Sequence, residues 1–208
     1  MGEEETSARS GRPAPGEYAD YARADIDRVE GDDACEALEK LAGATRALFG
    51  RFGERGGGLR YGEGKWTVKE VLGHLADDER IFAYRALCLA RGDVRELPGF
   101  DERQYVAGAR FGALPMSALL EDYGAVRAAS LTLFRGLGRE AWLRAGIVNG
   151  YAATPRGLAF HIAGHELRHH RVVLERYVPL LERESWFVRG PEPVEGRSAG
   201  PPGSRRTP

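Results

Sequence analysis

Four of the chain's five histidines fall between residues 161 and 170, and this crowding is the densest source of chemistry in the sequence. His161, His165 and His169 recur every fourth residue. Positions four apart on an α-helix differ by about 40° around the axis, so the three rings form one stripe. Leu158 and Ile162 share that stripe and Val172 and Val173 continue it, which turns the imidazoles toward an apolar core. His74 lies on a second apolar face with Val71, Leu75 and Phe82, and Asp78 follows one turn later on the same line. A buried polar group without a partner costs about 1–3 kcal/mol on mutational scales. A divalent ion removes that cost by binding neutral imidazole nitrogens. Two histidines at i and i+4 with a third from another helix make a facial set, and an open fourth position would hold water or substrate. The competing reading is a set of hydrogen-bonded core histidines, or exposed ones that complement a helix C-terminus. His170 is turned about 100° from His169 and points elsewhere.

The run His165-Glu166-Leu167-Arg168-His169 also fits H-E-x-x-H, in which the glutamate serves as general base beside zinc. A metallopeptidase is disfavoured all the same. Arg168 places a bulky cation inside the motif, no H-x-x-G-x-x-H extension follows, and Glu182 and Glu184 lie beyond Pro179. Glu166, about 100° from His165, is expected at the surface. Asp78 is expected to orient His74, with a general-base role as the alternative.

Helices must position these side chains. A first is expected from about Asp33 to Phe52, stopped by Gly56-Gly57-Gly58. Some helix is also expected around Tyr18, Tyr21 and Ile26. A second starts at the capping box Thr67-x-x-Glu70 and ends near Arg91, with Gly92 as its stop. A third runs from Pro115 to about Leu137. The last opens at Thr154-Pro155 and reaches about Tyr177, where Pro179 discourages continuation. Asn149-Gly150 can close a small hairpin. Residues 93–114 form a long connection whose Phe100, Tyr105 and Phe111 either cover the site or pack over helix ends. Tyr61 and Trp66 are expected to staple the start of the second helix. Four helices with little strand signal predict an all-α four-helix bundle over residues 17–186, between disordered tails at 1–16 and 187–208.

Thirty basic and 31 acidic residues leave a net charge of −1, which gives no support for nucleic-acid binding. No run of about 18 apolar residues argues for a membrane span. The start lacks the basic and apolar regions of a secretory signal, so a cytoplasmic protein is expected. Cys35 and Cys88 sit among apolar residues in no metal spacing and are expected as free thiols in a reducing compartment.

The stretch Gly64-Lys65-Trp66-Thr67-Val68-Lys69-Glu70, continuing to His74 and Asp78-Glu79-Arg80, resembles the first half of a DinB/YfiT-like domain. Gly164-His165-Glu166, His169-His170 and Glu175-Arg176-Tyr177 resemble its second half, and the likeness covers about residues 18–180. The resemblance implies an up-down-down-up bundle of bacterial type and a metal site built from His74, His165 and His169. It places His161 outside the usual ligand positions, as a packed core residue by preference, with a hydrogen-bond donor to the ligands or an alternative ligand as the other readings. It further implies a divalent ion, zinc first with nickel or iron as alternatives, and a small-molecule substrate. Similar proteins transfer low-molecular-weight thiols to electrophiles, are described as metal-dependent hydrolases, or have no known activity. Homodimers occur among them.

Overall fold

The computed structural model describes residues 10–189. Four long helices dominate it: α1 (Ala34–Gly50), α2 (Val68–Ala90), α3 (Met116–Arg135) and α4 (Pro155–Val172). Their starts follow local chemistry. The Asp33 carboxylate accepts from the amides of Cys35 and Glu36 at 2.8 and 3.3 Å and so caps α1. At α2, Thr67 Oγ1 accepts from Glu70 N at 3.2 Å while the Glu70 carboxylate accepts from Thr67 N at 2.6 Å, a closed capping box. Thr154 Oγ1 accepts from Gly157 N at 3.2 Å, with Pro155 in the first position of α4. Pro115 precedes α3 as its cap residue.

α1 and α2 each pack against both α3 and α4. Named contacts fix the directions. Arg127 meets Leu38 and Arg135 meets Glu39, whereas Gly124 lies against Arg46, so α1 and α3 are antiparallel. Lys69 reaches Leu114 and Arg80 reaches Asp122, so α2 and α3 run parallel. His74 meets His165 and Phe82 meets His161, so α2 and α4 are antiparallel.

The end of α4 differs from expectation. Val173–Tyr177 form a π-helical turn and the chain stays helical through α5 (Val178–Arg189), across Pro179. A proline ring collides with the carbonyl four residues back in a regular helix. The wider turn before it displaces that carbonyl, and Pro179 then sits in the first turn of α5, where its missing N–H is not needed.

Strands β1 (Gly146–Val148) and β2 (Tyr151–Ala153) pair antiparallel. Asn149 at φ 52° and Gly150 at φ 79° make the left-handed turn that such a hairpin needs. Leu97 bridges to this hairpin: its amide donates to Ile147 O at 3.0 Å and its carbonyl accepts from Asn149 N at 2.8 Å. The 93–114 connection is therefore fastened. It contains a short helix, Glu102–Gly108, capped by Asp101. Phe111 lies so close on Gly73 that a Cβ there would sit 2.4 Å from its ring.

The N-terminal segment is also held. Ser10 Oγ accepts from Ala34 N at 2.9 Å, and Arg12 donates to Ile26 O at 2.9 Å. Glu17 O and Asp25 O press against Gly157 and Gly164 of α4. Ser10 and Arg12 thus tie the start of the described chain to α1 and to the 26–29 turn. The stretches 1–9 and 190–208, expected to be disordered, lie outside the described residues. No helix among the described residues is long and apolar enough to cross a membrane.

Candidate metal centre

The antiparallel meeting of α2 and α4 brings three imidazoles together. His74 Nε2 lies 3.1 Å from His165 Nε2, and one ring nitrogen from each of His74, His165 and His169 falls within 4.8 Å of the others. All three side chains are buried, at 2%, 3% and 8% exposure. Burial lowers the pKa of each, that of His74 to about 4, so the rings are neutral at pH 7 and offer lone pairs. Nitrogens on a tetrahedral ion with bonds of ~2.0–2.1 Å stand about 3.3 Å apart. The His74–His165 pair is already at that spacing, and the widest pair has at most about 1.5 Å to close.

Asp78 supplies a second test of the fit. Its Oδ2 is buried without a well-aligned hydrogen bond and lies 3.3 Å from His165 Nδ1. Burial pushes its carboxyl up to about 8. Metal-ligating histidines typically donate their other N–H to such a carboxylate. Asp78 therefore lies against His165, not against His74 as its position on α2 implied, because the antiparallel α4 delivers His165 to the turn that follows His74.

Glu166 is not at the surface. It is 2% exposed and accepts from Tyr123 Oη at 2.5 Å and from Thr45 and Arg127. Arg127 Nε and Nη2 also each donate to the Glu79 carboxylate at 2.9 Å, and Nη1 donates to Leu38 O at 2.7 Å. One guanidinium on α3 thereby ties α1, α2 and α4 together at the level of the histidines. Turning away from His165 leads toward α1, not toward water. His170 shares that flank, with Nε2 2.5 Å from Thr45 Oγ1. In the sequence, the one signal for Arg127 is an arginine set among Tyr123, Val126, Leu131 and Phe134.

The neighbouring rings sort clearly. His161 stacks on Phe82 at 4.2 Å and lies outside the converging set. Trp66 does more than staple α2, since its ring lies 4.7 Å from His74 and nearly parallel to His169 at 6.4 Å. Tyr61 packs edge-on against Tyr177. Phe100 pairs with Tyr105, and Phe111 fills the core beside Gly73.

The sequence profile of the DinB superfamily matches residues 37–173, a span that holds every residue of this cluster. The fold is similar to that of YfiT from Bacillus subtilis, with a TM-score of 0.61 and 19% identity over 85% of this chain and 95% of that one. YfiT is described as a probable metal-dependent hydrolase with an unusual four-helix bundle topology. No curated protein is detectably similar in sequence.

Proposed function

The chain belongs to the DinB superfamily, and on that premise we propose that it is a divalent-metal-dependent enzyme whose ion is held by His74, His165 and His169. The convergence of three neutral imidazoles from two helices carries this reading. Zinc is the first choice and nickel or iron the alternatives, since three imidazoles accept each of them. Bound there, the ion would supply a Lewis-acid position that lowers the pKa of a thiol or water placed on it.

The chain's own residues have distinct tasks in this reading. Asp78, with Oδ2 3.3 Å from His165 Nδ1, would accept a hydrogen bond from that N–H once an ion is bound and so keep the Nε2 lone pair turned to the centre. The Glu79–Arg127–Glu166 cluster fixes α2 and α4 against each other. Trp66 walls the His74 and His169 side.

The favoured reaction is transfer of a low-molecular-weight thiol to a small electrophile. Cys35 and Cys88 pack against the apolar cluster that includes Leu38, Phe134 and Trp142, and neither belongs to the converging set, so the sulfur comes from a cosubstrate. Hydrolysis, supported by the description of YfiT, is the second reading. It asks for a general base, and Glu166 is already engaged by Arg127, Tyr123 and Thr45. A cytoplasmic setting and a small-molecule substrate belong to the same proposal.

Metal analysis of untagged protein, followed by thiol–electrophile and ester–amide panels on the loaded chain, tests it. One ion per chain, lost in His74→Ala, with metal-dependent thiol consumption is the expected result. Turnover in the hydrolytic panel alone favours the second reading, and metal without turnover in either makes the protein a non-catalytic binding module.

A further inference from the structure

Arg85 is a buried cation whose charge is left without a carboxylate. It is 5% exposed, yet its one hydrogen bond among the described residues goes to a neutral carbonyl, from Nη2 to Pro98 O at 2.7 Å. Other shielded cations close on carboxylates: Arg127 on Glu79 and Glu166, Lys69 on Glu54, Arg156 on Glu17. No described carboxylate forms an ion pair with Arg85 within 4.0 Å, and Asp78 is turned to His165 Nδ1. A buried charge is normally paired, because leaving water costs it several kcal/mol.

The guanidinium is preorganised for a planar anion. Its Cζ lies 4.8 Å from the Phe82 ring centroid and 5.6 Å from that of Phe100. Stacking of this kind occupies the faces of the cation and leaves its N–H edge for a bidentate partner. That edge has room. Arg85 lines a cleft of about 280 Å³ between α2 and the 97–105 segment, with Ile81, Tyr84, Leu97, Phe100 and Tyr105 around it. On another side it borders a cavity of about 30 Å³ beside Tyr21, Tyr151 and His161. The cleft wall is held in place by the Leu97 bridge to the hairpin and by the Asp101 cap.

We propose that this cleft binds a small carboxylate with an apolar or aromatic body, its carboxylate on Arg85 and its body against Phe100 and Leu97. The volume is just below the usual range for ligand pockets and restricts the ligand to a small molecule. The site is separate from the metal centre. Arg85 follows His74 by eleven residues, about 16 Å along α2, and none of His74, His165 and His169 lines the cleft.

Calorimetric titration of benzoate, with benzamide as its neutral counterpart, into the metal-loaded full chain reads the proposal without any substitution. Saturable benzoate binding with benzamide weaker by about tenfold or more is expected. Arg85→Met, checked for unchanged metal content and helical circular dichroism, should weaken benzoate by a similar factor. Equal binding of the two probes, no benzoate binding, or full benzoate affinity in a folded Arg85→Met chain overturns it. None of these readouts depends on turnover, so failure here leaves the metal-centre reading standing.

Discussion

At the scale of single residues, Asp78 and His161 separate orientation from packing. Asp78 faces the ring nitrogen of His165 that points away from the centre. Asp78→Asn keeps a hydrogen-bond acceptor but cannot ionise beside a bound cation, so metal should still bind, with affinity reduced about 10- to 100-fold. Competition with a chelator measures this, and unchanged affinity would remove Asp78 from the centre. His161 sits outside the converging set, stacked on Phe82, and His161→Phe should retain one ion per chain. It should also flatten the acid limb of stability. Burial holds His161 neutral in the fold down to about 3, while the unfolded ring takes a proton below ~6.5. Between those values the native state loses about 1.4 kcal/mol per pH unit from this residue, and nothing above ~6.5. The phenylalanine variant should therefore unfold at lower pH than the parent in a circular-dichroism acid titration.

At the scale of elements, the helices are set by local chemistry and their mutual arrangement by charges that local chemistry does not reveal. The capping box at Thr67, the Asn149-Gly150 turn and the Thr154-Pro155 start could be read directly, because each depends on neighbours within four residues. The inward stripe of His165 and His169 could be read as well. The fate of Glu166 could not, since a 100° rotation on α4 does not say which helix covers that flank. Arg127 supplies the answer through contacts 39 to 89 residues away. Removing one partner of a buried ion pair typically costs ~3–5 kcal/mol, whereas replacing all partners by apolar groups of like volume is often neutral. Arg127→Met should therefore destabilise the chain strongly in urea unfolding. The triple change Arg127→Met, Glu79→Leu and Glu166→Leu should recover much of the loss. If the triple variant is no more stable than the single one, the cluster stabilises through something other than charge pairing.

At the scale of the whole molecule, folding itself creates the proposed metal centre. His74 and His165 are 91 residues apart in the chain, so the unfolded protein has no such site and any ion bound there stabilises only the native state. At a free concentration 100 times Kd, that stabilisation is ~2.7 kcal/mol. A domain of this size gains roughly 2–4 °C in Tm per kcal/mol. Chelation should thus lower Tm by roughly 5–10 °C, and readdition of zinc should restore it. His74→Ala should start near the chelated value and respond little to metal. The two proteins share every surface carboxylate and His170, so adventitious binding would shift both alike. An equal response would locate the ion elsewhere. A response confined to the parent ties the metal to the meeting of α2 and α4, where three neutral imidazoles from distant segments converge.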